Sequence, residues 1–405
     1  MGFCNRIIRG LIVPAALFAC APTASQAQPS AAGVQATIPF VYDEPRVYVP
    51  VSSAMGPLGL FVLDTGAGDS LIDTTVSAEA GVRIVADEDV HGAGRGSLAV
   101  GATDAVTLYV GYTPLRIDSA IVAPLDAMLF PYSGRHIGGL IGAQFFHEHV
   151  VTVDFGQRRL ELSDPKTFVY RGEGVRLPFK FVSDIPMVAG VITLADGSRL
   201  ALRLLVDVGA EADLLITEPF VAAHPKIGQL APSIVEPLDA GVGGETRYAF
   251  ACLPRLEIGT LSATKLIAGL SVNGTLRGGP YDGLLGAPFL QRYRVIFDYA
   301  RHEIILEPSA LAPPDRFDRS GAFITQDPKD PHRFTVHWVV PDSPAAEAGL
   351  AAGDIVRTLA GRPAEALTLN QIRAALAAED TAAVPITVER RGRAIEASVR
   401  LRAQL

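Results

Sequence analysis

Two stretches of this chain, 143 residues apart, repeat one pattern. The first reads Leu63-Asp64-Thr65-Gly66-Ala67-Gly68-Asp69-Ser70-Leu71-Ile72 and the second Val206-Asp207-Val208-Gly209-Ala210-Glu211-Ala212-Asp213-Leu214-Leu215-Ile216. In each, an apolar run with the character of a buried strand reaches an aspartate. The chain then turns through x-Gly-Ala, where small residues let backbone approach backbone, and resumes as apolar sequence. A duplication of this kind predicts two copies of one fold unit, with an aspartate at the matched strand end of each.

The repeat extends downstream. Gly139-Leu140-Ile141-Gly142-Ala143-Gln144-Phe145-Phe146, then Val151-Thr152-Val153-Asp154-Phe155, has its partner in Gly283-Leu284-Leu285-Gly286-Ala287-Pro288-Phe289-Leu290, then Val295-Ile296-Phe297-Asp298-Tyr299. Asp64 precedes Asp154 by 90 residues, and Asp207 precedes Asp298 by 91. A period of ~140 residues is too long for a solenoid unit and reads as a duplicated lobe. Short β-rich runs at 47–51, 60–63, 106–110, 120–123 and 150–155 alternate with Gly, Pro and Asp turns, an all-β rhythm to which the 39 Gly and 29 Pro contribute. Asp154 and Asp298 form a second repeated pair, but each is followed by a turn and is expected to be structural.

Two carboxylates close enough to share one proton can divide a hydrolysis between them. The ionised one takes a proton from water, and the protonated one polarises a carbonyl. Asp64 and Asp207 are the candidates. The loops resemble those of aspartic proteases, one Asp-Thr-Gly or Asp-Ser-Gly per lobe, and the Gly-Ala form is similar to the retropepsin-like branch. Leu140-Ile141-Gly142 and Leu284-Leu285-Gly286 are similar to the hydrophobic-hydrophobic-Gly motif that crosses behind each loop in that family. The resemblance covers residues 38–308. It implies a mainly β, bilobal fold, an endopeptidase activity, catalytic Asp64 and Asp207, and supporting loop residues Thr65, Gly66, Ala67, Val208, Gly209 and Ala210. It also implies that the Gly-rich segments 91–97 and 240–246 are flaps over a substrate, with Gly92, Gly94, Gly96, Gly241, Gly243 and Gly244 as candidates, although an ordinary glycine hairpin remains the alternative. With water as nucleophile, no metal or organic cofactor is expected. Val208 departs from the family, where a hydroxyl residue stands at this position and bonds across to the opposite loop. A catalytically weak or inactive peptide-binding protein therefore stands as the alternative function.

After Pro308 the texture changes, and Pro313-Pro314 opens a linker. Residues 334–340 alternate as a strand, followed by Ser343-Pro344-Ala345-Ala346-Glu347-Ala348-Gly349-Leu350-Ala351-Ala352-Gly353-Asp354, which resembles the core string of bacterial PDZ domains. Leu369, Ile372 and Leu376 have helical spacing. The resemblance implies a small α+β domain that takes a peptide C-terminus as an added strand beside Phe323 and Ile324, against a helix carrying Leu369 and Ile372, with the carboxylate held near Gly321 and Ala322. These apolar residues also suit a plain core.

The expected organisation is a signal peptide at 1–27, lobe 1 at 36–165, lobe 2 at 166–310 and the PDZ domain at 315–405. Arg6 and Arg9, an apolar run at 11–19 and the small residues around Ala27 have the order of a secretory signal, and the run is short of the ~20 residues of a spanning helix. Export, with the periplasm as compartment, is the expectation. Residues 17–20 also resemble a lipoprotein processing site, whose alternative outcome is a lipid anchor on Cys20. A chain cut after Ala27 retains Cys252 alone and forms no intrachain disulfide. Net charge is −8, which disfavours nucleic acid or an anionic membrane surface as the main partner. The expected partners are a peptide or protein substrate and a C-terminal peptide ligand of the PDZ domain. His147-Glu148-His149 does not place two ligands on one helix face, and no Gly-x-Ser-x-Gly elbow is present.

Overall fold

The computed structural model describes residues 33–43, 45–91, 97–230, 233–241, 244–272, 276, 279–309, 318–379 and 381–405. The leader with Cys20, the flap candidates Gly92, Gly94, Gly96 and Gly243, and most of the Pro-rich linker lie outside these residues.

The architecture is mainly β, with two lobes of the same plan and a smaller α+β unit at the C-terminus. Alternation in the sequence sets the faces of the strands. In Ile185–Thr193, Pro186, Val188, Gly190 and Ile192 turn inward while the residues between them are more exposed. The short strands at the repeated loops, Leu71–Asp73, Leu214–Ile216 and Gly283–Gly286, are instead buried at every position.

A six-stranded sheet joins the lobes, in the order Val34–Pro39, Arg159–Ser163, Val150–Asp154, Tyr293–Asp298, Glu303–Pro308, Val175–Pro178. Each lobe supplies three strands, and the central pair runs antiparallel with Val151 opposite Phe297 and Val153 opposite Val295. The duplicated strings of the sequence therefore meet face to face across a pseudo-twofold axis. Val153, Val295 and Phe297 are fully buried there, at about 1.5–3 kcal/mol of hydrophobic stabilisation each. The buried Arg294 is neutralised between Glu161 at 2.6 Å and Glu307 at 2.7 Å. Asp154 and Asp298 cap turns, accepting from the amides of Gln157 at 2.9 Å and Arg301 at 3.1 Å.

The C-terminal unit has its own core around Phe334, Val336, Ile372 and Val388. Ser343 caps the short helix Pro344–Glu347, and Gly349 ends that turn at φ 78°, a left-handed conformation suited to glycine. Thr368 and Gln371 form a capping box for helix Leu369–Leu376, which buries Leu369, Ile372 and Leu376 on one face. Strand Ala322–Asp327 lies at one end of this sheet and, among the described residues, pairs on one side only, with Asp330–Val339. The expected fold class, a duplicated bilobal β fold followed by a small α+β domain, is the one observed.

Candidate active site

The two repeated loops meet at the junction of the lobes. Asp64 follows strand Gly56–Leu63, and Asp207 ends strand Arg199–Asp207. Behind each loop a short strand crosses. Ile141 pairs parallel with Leu63, and Gly286 pairs parallel with Asp207. Matched amides then hold the loops open: Ala143 donates to the carbonyl of Ala67 at 3.0 Å, and Ala287 donates to that of Ala210 at 3.0 Å.

The glycines after the aspartates each make room for the opposite carboxylate. A Cβ at Gly66 would lie 2.3 Å from Oδ2 of Asp207, and one at Gly209 would lie 2.7 Å from Cγ of Asp64. Each aspartate also accepts from its own loop, Asp64 from the Gly66 amide at 2.8 Å and Asp207 from the Gly209 amide at 2.7 Å. The two carboxyl groups are hydrogen-bonded to one another.

Their environments differ. Burial pushes both carboxyls above the ordinary range. For Asp64 the hydrogen bond from Asp207, the Gly66 amide and the charge of Arg46 pull the other way. Asp207 is lifted furthest, because burial is joined there by the charge of Asp64. Both carboxyls are thus pushed toward the protonated form, Asp207 further than Asp64.

Thr65 and Val208 are both fully buried and carry unequal shares of the loop contact. The Thr65 hydroxyl donates to the carbonyl of Val206 at 2.8 Å and accepts from the amide of Val208 at 3.0 Å. Val208 has no hydroxyl to return the arrangement toward lobe 1.

Arg46 is a site residue that sequence reasoning missed. From strand Arg46–Ser53 of lobe 1 it reaches lobe 2, donating from Nε to the carbonyl of Gly209 at 3.2 Å and pairing with Glu211 at 2.7 Å. Both side chains are almost entirely buried, at 6% and 8% exposure, so this ion pair is locked inside the interface beside the aspartates. Two signals mark it in retrospect: an arginine directly before the run Val47-Tyr48-Val49-Pro50-Val51, and a glutamate where the first loop has Gly68.

The strands on either side of each glycine-rich segment pair antiparallel, Ile84–His91 with Ser97–Thr103 and Ser233–Gly241 with Gly244–Ile258. Gly241 and Gly244 face each other at the tip of the second. Gly321 has a left-handed φ of 73°, and its amide donates to the carboxylate of Asp318. Ala322, Phe323 and Ile324 open the end strand of the C-terminal sheet, and Leu369 and Ile372 lie on the helix beside it.

Comparison with known proteins bears on the two parts separately. No curated protein matches this chain. Among solved structures it is similar to the aspartic proteinase from Irpex lacteus, with 14% sequence identity and a TM-score of 0.45, over 68% of this chain and 98% of that one. The family model described as PDZ domain matches residues 335–390, so the C-terminal unit, with its own core and capped helix, is a PDZ domain.

Proposed function

We propose that this protein is an exported aspartic-type endopeptidase in which Asp64 and Asp207 activate water against a peptide bond. The observation that carries this reading is the cross-lobe pair itself. Two buried carboxyls are hydrogen-bonded to each other, each is packed against the glycine of the other's loop, and their proton affinities are pushed apart. Asp64, the more readily ionised, takes a proton from the attacking water. Asp207, neutral, donates a hydrogen bond to the carbonyl oxygen as negative charge develops there. The tetrahedral intermediate collapses when Asp64 passes the proton taken from water to the amide nitrogen, which leaves as an amine, so Asp64 is ionised again and the pair starts the next cycle with one proton.

A second reading has an observation behind it as well. Val208 leaves the lobe-2 loop without the cross-loop hydroxyl that Thr65 supplies to lobe 1, which favours a looser and slower site, or a protein that binds peptides without cutting them. Incubating the mature protein with a diverse peptide mixture from about pH 3 to 8 and reading the products by mass separates the two. Internal cleavage, lost in Asp64→Asn, supports the endopeptidase. Retained peptide binding without any cleavage supports the alternative.

Export rests on the charged, apolar and small-residue order of residues 1–27. No helix among the described residues is long and apolar enough to cross a membrane. Recovery of an uncut N-terminus from the cytoplasm would contradict export. Membrane retention that disappears in Cys20→Ala would identify a lipid anchor. The PDZ domain adds a second peptide-binding surface to this reading, suited to recruiting or positioning a protein substrate.

A further inference from the structure

In a PDZ domain a peptide adds to an exposed strand edge beside a helix. Here those walls are strand Ala322–Asp327 and helix Leu369–Leu376, and the space between them is already filled from lobe 1. Helix Leu125–Ser133 ends at Gly134, which has a left-handed φ of 63° and donates its amide to the carbonyl of Phe130 at 2.7 Å. A Cβ on Gly134 would lie 2.5 Å from Oε1 of Gln326 on the strand and 2.9 Å from Cβ of Leu369 on the helix. Only bare backbone fits between the two walls. The Gln326 oxygen is buried and has no hydrogen-bond partner among the described residues, as expected of an acceptor on a groove wall whose present occupant brings it no donor.

Contacts on both sides of Gly134 fix the same segment. The Tyr132 ring lies 6.2 Å from that of Phe323 on the strand. Arg135 pairs at 2.5 Å with Asp43, which also takes the side-chain amide of Asn370 on the helix. The far end of the groove is closed from within. Asp318 accepts from the backbone amides of Ser320, at 3.1 Å, and of Gly321, while the Ala322 amide goes to the Ser320 hydroxyl at 3.0 Å. The donors expected to hold a peptide's terminal carboxylate are thus engaged by an internal carboxylate and a hydroxyl.

The domain also grips the second glycine-rich hairpin. Trp338 donates from its indole to the carbonyl of Val235 at 3.1 Å, and the Arg247 guanidinium stands 4.7 Å over the Trp338 ring. Val340 completes a cluster with Ile234, Tyr248 and Phe250.

We propose that residues 132–135 of lobe 1 are the resident ligand of the PDZ groove, and that a peptide with a free C-terminus binds by displacing them. The domain is then an intramolecular latch that ties helix Leu125–Ser133 of lobe 1 to the lobe-2 hairpin until a competing C-terminus arrives. Because only the unlatched fraction can bind, the affinity measured on the intact chain is lowered by that fraction, and weakening the latch raises it.

The test uses the full chain and a fluorescent peptide ending in an apolar residue with a free carboxylate. Gly134→Leu drives a side chain into both groove walls, and Asp43→Ala removes the tether to Arg135 and Asn370 without a clash at Gly134. Asp43→Ala keeps the test decisive if the first variant fails to fold. The folded variants are expected to bind the probe about tenfold or more tighter than wild type. Saturating peptide should raise deuterium exchange at residues 125–135 of the wild type. Equal affinity in wild type and Asp43→Ala, binding with no change in exchange at 125–135, or no binding by any folded variant would each overturn the proposal. Cleavage is not read in this experiment, so its failure leaves the proposed role of Asp64 and Asp207 untouched.

Discussion

The amide of Val208 donates to the hydroxyl of Thr65 at 3.0 Å across the lobe junction, and the side chain of Val208 has no hydroxyl to offer in return. The two loops are thus held by a one-sided contact, in which Thr65 also satisfies the carbonyl of Val206. Thr65→Val strands a buried amide and a buried carbonyl together, and should destabilise the protein by roughly 2–4 kcal/mol. Peptide cleavage should fall as well, as checked by kcat/KM beside a denaturant titration. Val208→Thr should hold or raise activity, because it places a hydroxyl where lobe 1 has one. A marked loss of activity in Val208→Thr would show that the asymmetry is required.

Arg46 and Glu211 should behave as a buried pair in which either member alone is a liability. Arg46→Met leaves Glu211 buried without its cation, at a cost of about 3–5 kcal/mol, whereas Arg46→Met with Glu211→Leu should recover most of that stability. The chemistry is expected to move separately. The charge of Arg46 lowers the proton affinity of Asp64, so removing it raises that affinity and shifts the acid limb of the pH–activity profile upward. An unmoved acid limb in the folded double variant would remove Arg46 from the electrostatics of the site.

The raised proton affinity of Asp207 makes stability depend on pH in a stated direction. Its carboxyl lies well above the ordinary value of 3.8 in the folded protein, chiefly through burial, so the folded state keeps a proton that the unfolded chain has released. That contribution is fully present below about pH 3.8 and is lost as pH rises through the folded value. Asp207→Asn, neutral at every pH, should therefore raise the melting temperature at pH 7 and change it little near pH 3. Thermal unfolding of both proteins at the two pH values checks the sign.

Gly66→Ala should be among the most damaging single substitutions. The added carbon would lie 2.3 Å from the carboxylate of Asp207, against loop backbone pinned by crossing strands. Loss of cleavage together with a lowered melting temperature is expected, and a stable, active Gly66→Ala would contradict the packing of the pair.

How much of this was legible in the sequence follows from where each contact lies. The duplicated loops, the crossing strands and the turn-capping Asp154 and Asp298 are organised inside one lobe, so each left a local string that its copy repeats. The string around Ser343 and Gly349 is legible for the same reason, since a helix cap and a left-handed stop need those residue types in that order. Arg46 meets Gly209 across 163 positions, and Asn370 meets Asp43 across 327. Such pairs depend on how finished units dock, and no periodicity or turn chemistry announces them. Phe323, Ile324, Leu369 and Ile372 were legible as one strand and one helix of the C-terminal unit, and Ile324, Leu369 and Ile372 lie in its core, whereas the approach of Gly134 to Gln326 and Leu369 joins finished units and left no local string.

The central claim is that Asp64 and Asp207 work as one proton-sharing unit. The most direct measurement is kcat/KM for one cleaved peptide in wild type, Asp64→Asn, Asp207→Asn and the double variant, with folding verified for each. A shared proton needs both partners, so each single substitution should remove nearly all activity, about a thousandfold or more, and the double should be scarcely worse than either. Cleavage that persists undiminished in Asp207→Asn, or single losses that multiply in the double variant, would contradict the account.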